Sequence, residues 1–196
     1  MRKILLIFAA LALLLSSLSL HSQERVADRL LRAERFAFST NILDWFDCLT
    51  LNLQFNYMIN PNTSFVVKLR QNHWTFNKGK ESQVQHRKME LQSGLRWWPW
   101  YYNSGWFFQG TAQYSKFNEG GLTSSLTYEG WATGLNLSAG YALMLSQHFN
   151  LEFGAACFAG WTKYTVYNCP KCGSIRYNRN KIMFFPDLNV SVVYIF

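Results

Sequence analysis

Regular alternation of apolar and polar side chains is the feature that most constrains what this chain can fold into. Successive side chains of a β-strand point to opposite faces, so an alternation with a period of two predicts strand. Seven stretches alternate in this way over eight positions or more. In the last of them, residues 184–196, apolar side chains lie on one face and Asp187, Asn189 and Ser191 on the other. A final strand that ends on the aromatic Phe196, with its charge on the shielded face, indicates a barrel standing in a membrane.

The chain from Phe36 onward divides into eight predicted strands. They are expected near residues 36–43, 50–59, 64–76, 86–97, 105–117, 129–144, 149–164 and 181–196. Three connections are long, at 77–85, 118–128 and 165–180, and they alternate with short ones, whereas the first, at 44–49, is a short exception. Outer-membrane barrels have short periplasmic turns and longer outer loops. The predicted fold class is therefore all-β, an eight-stranded antiparallel up-and-down transmembrane β-barrel.

The same alternation is compatible with a soluble, secreted, lipocalin-like barrel, whose apolar face would turn inward onto a ligand cavity. Two features favour the membrane barrel. Small residues such as Gly134, Ser138 and Gly154 fall in the polar set, which suits a crowded lumen. The polar set also mixes charges of both signs, which can pair inside a barrel. The predicted lumen charge network consists of Lys68, Arg70, Lys88, Glu90, Arg96, Glu152 and Asp187.

Eight strands leave an interior that side chains just fill, so we expect a plugged barrel with no open channel. Eight aromatic residues also crowd around one short turn. They are Trp97, Trp98, Trp100, Tyr101, Tyr102, Trp106, Phe107 and Phe108. Trp and Tyr at strand ends are typical of a membrane interface, and a hydrophobic core rich in aromatic residues is the alternative.

The first 22 residues have the order of a secretory signal. Arg2 and Lys3 precede an apolar run, residues 4–15, and a small polar segment leads to a cleavage region near Ser22. The run is shorter than the roughly 20 residues that a membrane-spanning helix needs. The predicted organisation is a signal peptide at 1–22, a leader or short helix at 23–35, and one barrel domain at 36–196.

The charge balance is basic, with 19 Lys and Arg against 11 Asp and Glu and a formal net charge of +8. Nucleic acid is not an expected partner, because no basic run is interleaved with exposed aromatic residues and a secreted chain rarely meets it. The excess of positive charge is better interpreted as a source of attraction to anionic lipid headgroups or polysaccharide.

A series of short motifs recurs in order along the predicted barrel. The motifs are Ser39-Thr40-Asn41-Ile42-Leu43, Gly120-Gly121-Leu122, Tyr128-Glu129-Gly130-Trp131, Ser138-Ala139-Gly140-Tyr141, Phe149-Asn150-Leu151-Glu152 and Tyr167-Asn168-Cys169-Pro170-Lys171-Cys172-Gly173. Over residues 36–196 this series resembles the family known as domain of unknown function three-five-seven-five. The segment Asp44-Trp45-Phe46-Asp47 departs from the family pattern by being more apolar than its usual first turn.

The resemblance implies an eight-stranded barrel in the outer membrane of a Gram-negative bacterium, and a place beside fimbria-like or adhesin appendages. It implies neither catalytic residues nor a cofactor. Resemblance to other outer-membrane proteins further implies that Tyr194 and Phe196 form the signal read by the barrel-assembly machinery.

Cys169 and Cys172 form a C-x-x-C motif in the last long connection. A structural disulfide is expected in an oxidising compartment. A zinc half-site, a redox-active pair and free thiols are the alternatives, although zinc needs more ligands than this pair offers. Cys48 falls in the first connection, and Cys157 falls on the apolar face of the seventh strand, where it behaves as a small hydrophobic residue.

The sequence favours a structural, adhesive or surface-assembly role through the outer loops. The expected partners are outer-membrane lipids, the barrel-assembly machinery and surface-appendage or adhesin proteins. A lipid-modifying enzyme is a further alternative, because the third connection brings His73, Glu81, Ser82 and His86 near one another. We expect these four to be ordinary solvated loop residues, since no G-x-S-x-G, H-E-x-x-H or phosphate-loop motif occurs in the chain.

Overall fold

Eight antiparallel strands and one short helix make up the described chain. A computed structural model describes residues 35–80, 83–121, 125–169 and 173–196. The elements are β1 (Phe36–Asn41), α1 (Ile42–Phe46), β2 (Leu51–Asn60), β3 (Thr63–Phe76), β4 (Val84–Trp97), β5 (Gly105–Gly120), β6 (Thr127–Met144), β7 (Phe149–Tyr167) and β8 (Ile175–Ile195). The predicted signal peptide at 1–22 and the leader at 23–35 lie outside the described residues, apart from Arg35.

The strands form one closed barrel in sequence order. Each strand pairs antiparallel with the next, and β1 pairs with β8 to complete the ring. The prediction of eight antiparallel strands in an all-β chain is confirmed. Among the described residues, no helix combines the length and the apolar character needed to cross a membrane.

The connections lie at the two ends of the barrel. The α1 end carries residues 42–50 and the described parts of the connections 77–83, 121–126 and 168–174. The C-terminal end carries residues 61–62, 98–104 and 145–148 together with Phe36 and Phe196. The contrast between the two ends is weaker than predicted, because several strands run further into the expected loops and the connection at 98–104 is not tight.

The two faces of the sheet differ sharply in polarity. On β6 the inward Asn136 is buried, whereas its neighbours Leu135 and Leu137 are 60% and 63% exposed on the outer face. Leu53 on β2 is likewise exposed, and Val192 on β8 is half-buried on the same outward face. The pleat of each strand therefore turns polar side chains inward and apolar side chains outward.

The β1 strand is shorter than predicted, because Asn41 ends it. The Asn41 side chain accepts hydrogen bonds from the backbone N–H groups of Val190 (3.0 Å) and Leu43 (3.2 Å), and it donates one to the Leu188 carbonyl (3.5 Å). It thus ends the ladder with β8 and caps α1 at the same time. The prediction of strand at residues 42–43 and of a short turn at 44–49 was wrong, since Ile42–Phe46 is helical.

The last hairpin is longer than predicted. Residues 165–167 and 175–180 were expected to be loop, but Thr165 pairs with Asn178 and Val166 pairs with Tyr177. The Thr165 hydroxyl also donates a hydrogen bond of 2.8 Å to the Asn178 side chain. β-Branched and aromatic residues favour strand, and these cross-strand contacts outweigh the polar composition that predicted a loop.

An apolar cluster occupies the C-terminal end of the barrel. Trp98, Tyr102 and Phe107 are buried there, in a cluster completed by Ala37, Ala142, Val193 and Ile195. The connection at 98–104 folds inward because the Trp98 and Tyr102 amides donate to the backbone carbonyls at positions 62 and 61. The prediction of one aromatic interface band was therefore wrong for these three rings. Trp97, Trp100, Trp106 and Phe108 are exposed.

Replacing Asn41 with alanine tests the account of the end of β1. Asn41→Ala leaves the Val190 and Leu43 amides without their side-chain acceptor, so we expect a loss of about 2 kcal/mol in the free energy of unfolding. The loss is measured by urea titration of the folded protein, followed by tryptophan fluorescence. Asn180→Ala, at an exposed position on β8, is the matched control and is expected to change little. Equal losses in the two variants would contradict the assignment.

Candidate functional site

Arg70 is the centre of a buried ion-pair group inside the barrel. Its guanidinium donates to the Asp44 carboxylate at 2.7 and 2.6 Å, lies 2.8 Å from an Asp187 carboxylate oxygen, and lies 3.4 Å from Glu90. These partners come from α1, β8 and β4, while Arg70 itself is on β3. One side chain therefore ties the helix to three strands.

Asp44 is the functional residue that the sequence analysis missed. It was expected in an outer turn, but α1 turns its side chain into the barrel, where it is buried. The sequence does carry a signal for this helix, since Asn41 is a favourable N-cap residue and Asp44 follows in the first turn, where an acidic side chain is favourable. The signal was obscured because residues 42–46 are apolar enough to continue a strand pattern.

Two further members of the predicted network lie beside Arg70. The Lys88 ammonium is 3.4 Å from Glu90, and Glu90 also accepts a hydrogen bond of 2.7 Å from Gln92. Lys68 is buried in the same region, and no ion pair joins it to a carboxylate within the described part of the chain. Arg70, Lys88, Glu90 and Asp187 are thus brought together, with Lys68 near them.

Arg96 and Glu152 form a separate pair nearer the C-terminal end. An Arg96 nitrogen lies 2.9 and 3.0 Å from the two Glu152 oxygens, and the guanidinium also donates to Gln109 at 2.8 Å. Its planar face lies over the Phe107 ring, 4.2 Å from the centroid. The predicted single network therefore consists of two separate clusters, because Arg96 pairs across the barrel with Glu152 on β7 and not with Glu90 on its own strand.

The space inside the barrel differs between its levels. Beside Arg70 is a partly open cavity of ≈ 300 Å³, lined by charged side chains and by Phe117, Phe158 and Phe185. Between this level and Arg96 the space falls to ≈ 20 Å³, bounded by amide side chains such as those of Gln54 and Gln92. The interior is therefore roomy near the α1 end and filled in the middle.

His86 lies at the α1 end between two carboxylates. Its Nε2 is 3.3 Å from Asp47, and its Nδ1 is 3.7 Å from Glu119. The hydrogen bond from His86 lowers the pKa of the Asp47 carboxyl from its ordinary value, and the positive charges of Lys88 and Arg70 act in the same direction.

The residues of the enzyme alternative do not converge. His86 is buried on the inner face of β4, whereas His73 on β3 is exposed on the outer face. Glu81 and Ser82 lie outside the described residues. The two histidines therefore lie on opposite faces of the sheet and do not converge on one substrate atom.

The predicted cysteine pair is described only in part. Cys169 is half-buried at the end of the last hairpin, and Cys172 lies outside the described residues, so their disulfide stays a prediction. Cys48 and Cys157 are free, and Cys157 is exposed on the apolar outer face. Within the described ranges, no group of three or more His, Cys, Asp or Glu side chains is arranged to hold a metal ion.

Tyr194 and Phe196 lie on the outer face at the C-terminal end. Their rings stack with centroids 6.0 Å apart, and Phe196 also stacks on Phe36 and Phe38 of the first strand. The Phe36 and Phe196 backbones exchange hydrogen bonds of 3.2 and 3.0 Å. The two predicted signal residues therefore share one exposed aromatic cluster, and their role in assembly stays a prediction.

Fold and interior together define a class of protein, a closed eight-stranded antiparallel barrel with a charged inner face and an apolar outer face. The chain belongs to the family described as protein of unknown function (DUF3575), which it matches over residues 8–196. The resemblance inferred from the motifs is therefore confirmed, and the match also includes most of the segment predicted as signal peptide and leader. No curated protein matches the chain.

A double-mutant cycle tests the buried pair. Arg96→Met leaves Glu152 as a buried charge without its partner, and Glu152→Met does the same to Arg96, so each is expected to cost about 3–5 kcal/mol in the free energy of unfolding. The double variant removes both charges and is expected to recover most of the loss, because apolar side chains of similar volume replace the pair. Urea titrations of the four proteins measure the coupling. Losses that simply add would contradict a mutual dependence of Arg96 and Glu152.

Proposed function

We propose that this chain is an outer-membrane β-barrel of a Gram-negative bacterium, closed to ion flow, with a structural, adhesive or surface-assembly role at its α1 end. The supporting observation is the distribution of charge between the faces. Arg70, Glu90, Arg96 and Glu152 are buried on the inner face, while large apolar side chains such as Leu137 are exposed on the outer one.

The outer face supports insertion into lipid. Large apolar side chains are exposed around the whole ring. They include Leu51, Leu69, Leu91, Leu95, Leu135, Leu137, Phe153, Phe184 and Leu188. Soluble monomers rarely expose contiguous apolar surface of this kind, whereas lipid tails accept it. In the C-terminal half of the barrel, every strand is hydrogen-bonded to a neighbour on both sides. A bilayer requires this because it offers no water to the backbone N–H and C=O groups.

The soluble lipocalin-like alternative is less well supported. Such a barrel binds its ligand through an apolar interior, but here the middle of the barrel holds Gln54, Gln92, Asn136 and an ion pair. A water-soluble carrier with this sheet would have to bury its apolar outer face, on which Leu53, for example, is 51% exposed. Polarity of the two faces thus favours the membrane barrel.

The filled interior supports a barrel without an open channel. The gap of ≈ 20 Å³ between the two charge clusters has room for about one water molecule, which is too little for a continuous column of water. On the C-terminal side of this gap lie the Arg96 and Glu152 pair and then the apolar cluster that contains Trp98, Tyr102 and Phe107. We therefore propose that these layers block ion flow.

The α1 end is the proposed outer surface. The β7 and β8 hairpin exposes polar, basic and aromatic side chains there, and the Arg179 guanidinium lies 5.1 Å from the centroid of the Tyr177 ring. Such a surface suits polar protein partners, and we propose surface-appendage or adhesin proteins as the class. Secretion through the signal peptide and insertion through Tyr194 and Phe196 by the barrel-assembly machinery are parts of the same proposal.

We propose a non-enzymatic role, and the position of His73 and His86 on opposite faces of the sheet supports it. Nothing in the arrangement of the described side chains favours a reaction over binding.

Membrane fractionation with a heat-modifiability gel tests the proposal. We expect the mature chain in the outer-membrane pellet and a shift in gel mobility on boiling, because a closed sheet resists unfolding by detergent at room temperature. Urea-unfolded protein is the control without a shift. In planar bilayers the folded protein is expected to give no steady conductance. Recovery in the soluble periplasmic fraction, or a large steady conductance, would contradict the proposal.

A further inference from the structure

Three basic side chains lie on the outer face of neighbouring strands near the α1 end. Lys116 on β5 lies directly opposite Trp131 on β6, and Trp131 lies directly opposite Lys163 on β7. Arg87 on β4 lies one step nearer the α1 end, opposite Asn118. The three cations are exposed. We call Arg87, Lys116 and Lys163 the basic row.

The basic row lies immediately beside the apolar face. Two residues from Lys116, Trp131 and Lys163 toward the C-terminal end, β4 to β7 present Leu91, Tyr114, Thr133 and Trp161 as direct neighbours in register. From that level to the C-terminal end, the outward positions of the eight strands carry no charged residue. The change from uncharged to cationic surface therefore takes one step of the strand alternation.

The cations of the row have no anionic partner in the described part of the chain. Neither Lys116 nor Lys163 is within ion-pair distance of a described carboxylate, and Arg87 donates a hydrogen bond of 3.1 Å to the Thr75 hydroxyl. The nearest outward carboxylate along the strands, Glu129, bonds to Tyr167 instead. A surface groove of ≈ 400 Å³ runs beside the row and is lined by His73, Arg87, Met89, Lys116, Glu129 and Trp131.

We infer that the basic row binds the phosphate groups of anionic lipid headgroups in the leaflet that surrounds the α1 end. Strands two positions apart are separated by about 10 Å, so the flexible side chains of Lys116 and Lys163 can reach phosphates of one headgroup. The acyl chains then follow the apolar face beside Tyr114 and Trp161, and Trp131 lies at the level of the headgroup.

The lipid is favoured over free phosphate because the row is an open surface. Nothing among the described residues encloses a small ion on all sides, whereas the apolar face next to the row gives a lipid a second area of contact. The inference rests on the proposed membrane insertion and adds to it a lipid class and a location.

The test uses the full mature chain folded in detergent micelles and titrated with diphosphorylated lipid A, with bound lipid counted by native mass spectrometry. Removing one cation from a phosphate site is expected to weaken binding about fivefold. For the double variant K116Q/K163Q we therefore expect binding that is weaker by at least about fivefold. The matched control K78Q/K80Q removes two exposed lysines from the connection between β3 and β4 and is expected to bind as the wild type does.

Two further arms separate the possible sources of the phosphate and guard against misfolding. Inorganic phosphate at equal concentration is expected not to displace the lipid, and raising the ionic strength is expected to weaken binding by the wild type more than by K116Q/K163Q, which keeps only Arg87. Displacement by inorganic phosphate, a wild-type affinity that ignores salt, or equal affinities of K116Q/K163Q and K78Q/K80Q would each overturn the inference. A heat-dependent gel shift in every variant keeps this outcome distinct from failure of the barrel itself.

Discussion

Charge pairing inside a closed sheet is the constraint on which this structure depends. Once β1 and β8 complete the ring, half of all strand positions face the interior, where a buried charge without a partner is costly. Arg70 and Arg96 meet this requirement with carboxylates from other strands, 2.8 Å away at Asp187 and 2.9 Å away at Glu152. The apolar outer face follows from the same pleat and needs no separate explanation.

Closure of the ring between β1 and β8 also depends on the buried charges around Arg70. The β1 strand supplies pairing for only the last few residues of β8, because Asn41 ends the ladder and starts α1. Asp44 then reaches inward to Arg70, which fixes the helix across the part of the sheet that β1 does not cover. Pro186 on β8 lacks a backbone donor, which suits a strand with an uncovered edge.

Much of this arrangement could be predicted from the sequence, because a period of two assigns each side chain to a face without knowledge of the neighbours. That is why the eight strands and the inward set of charged residues were accessible. The contacts that depend on distant segments were not. Asn41 bonds to Val190, Trp98 turns inward through the backbone at position 62, and Thr165 continues pairing with Asn178. In each case, a contact with a distant segment decides the local structure, and the alternation of apolar and polar residues carries no information about that contact.

The account is tested most directly by measuring which solvent touches the outer face. The native cysteines are first replaced by alanine. A nitroxide spin label is then attached in separate variants to Leu137→Cys, or to Lys78→Cys in the connection between β3 and β4, and each variant is folded into lipid vesicles. We predict that the label at position 137 collides with lipid-soluble oxygen far more than with a water-soluble nickel complex, and that the label at position 78 does the reverse. Equal nickel accessibility at both positions, or a label at 137 shielded from both reagents, would contradict an outer face that contacts lipid.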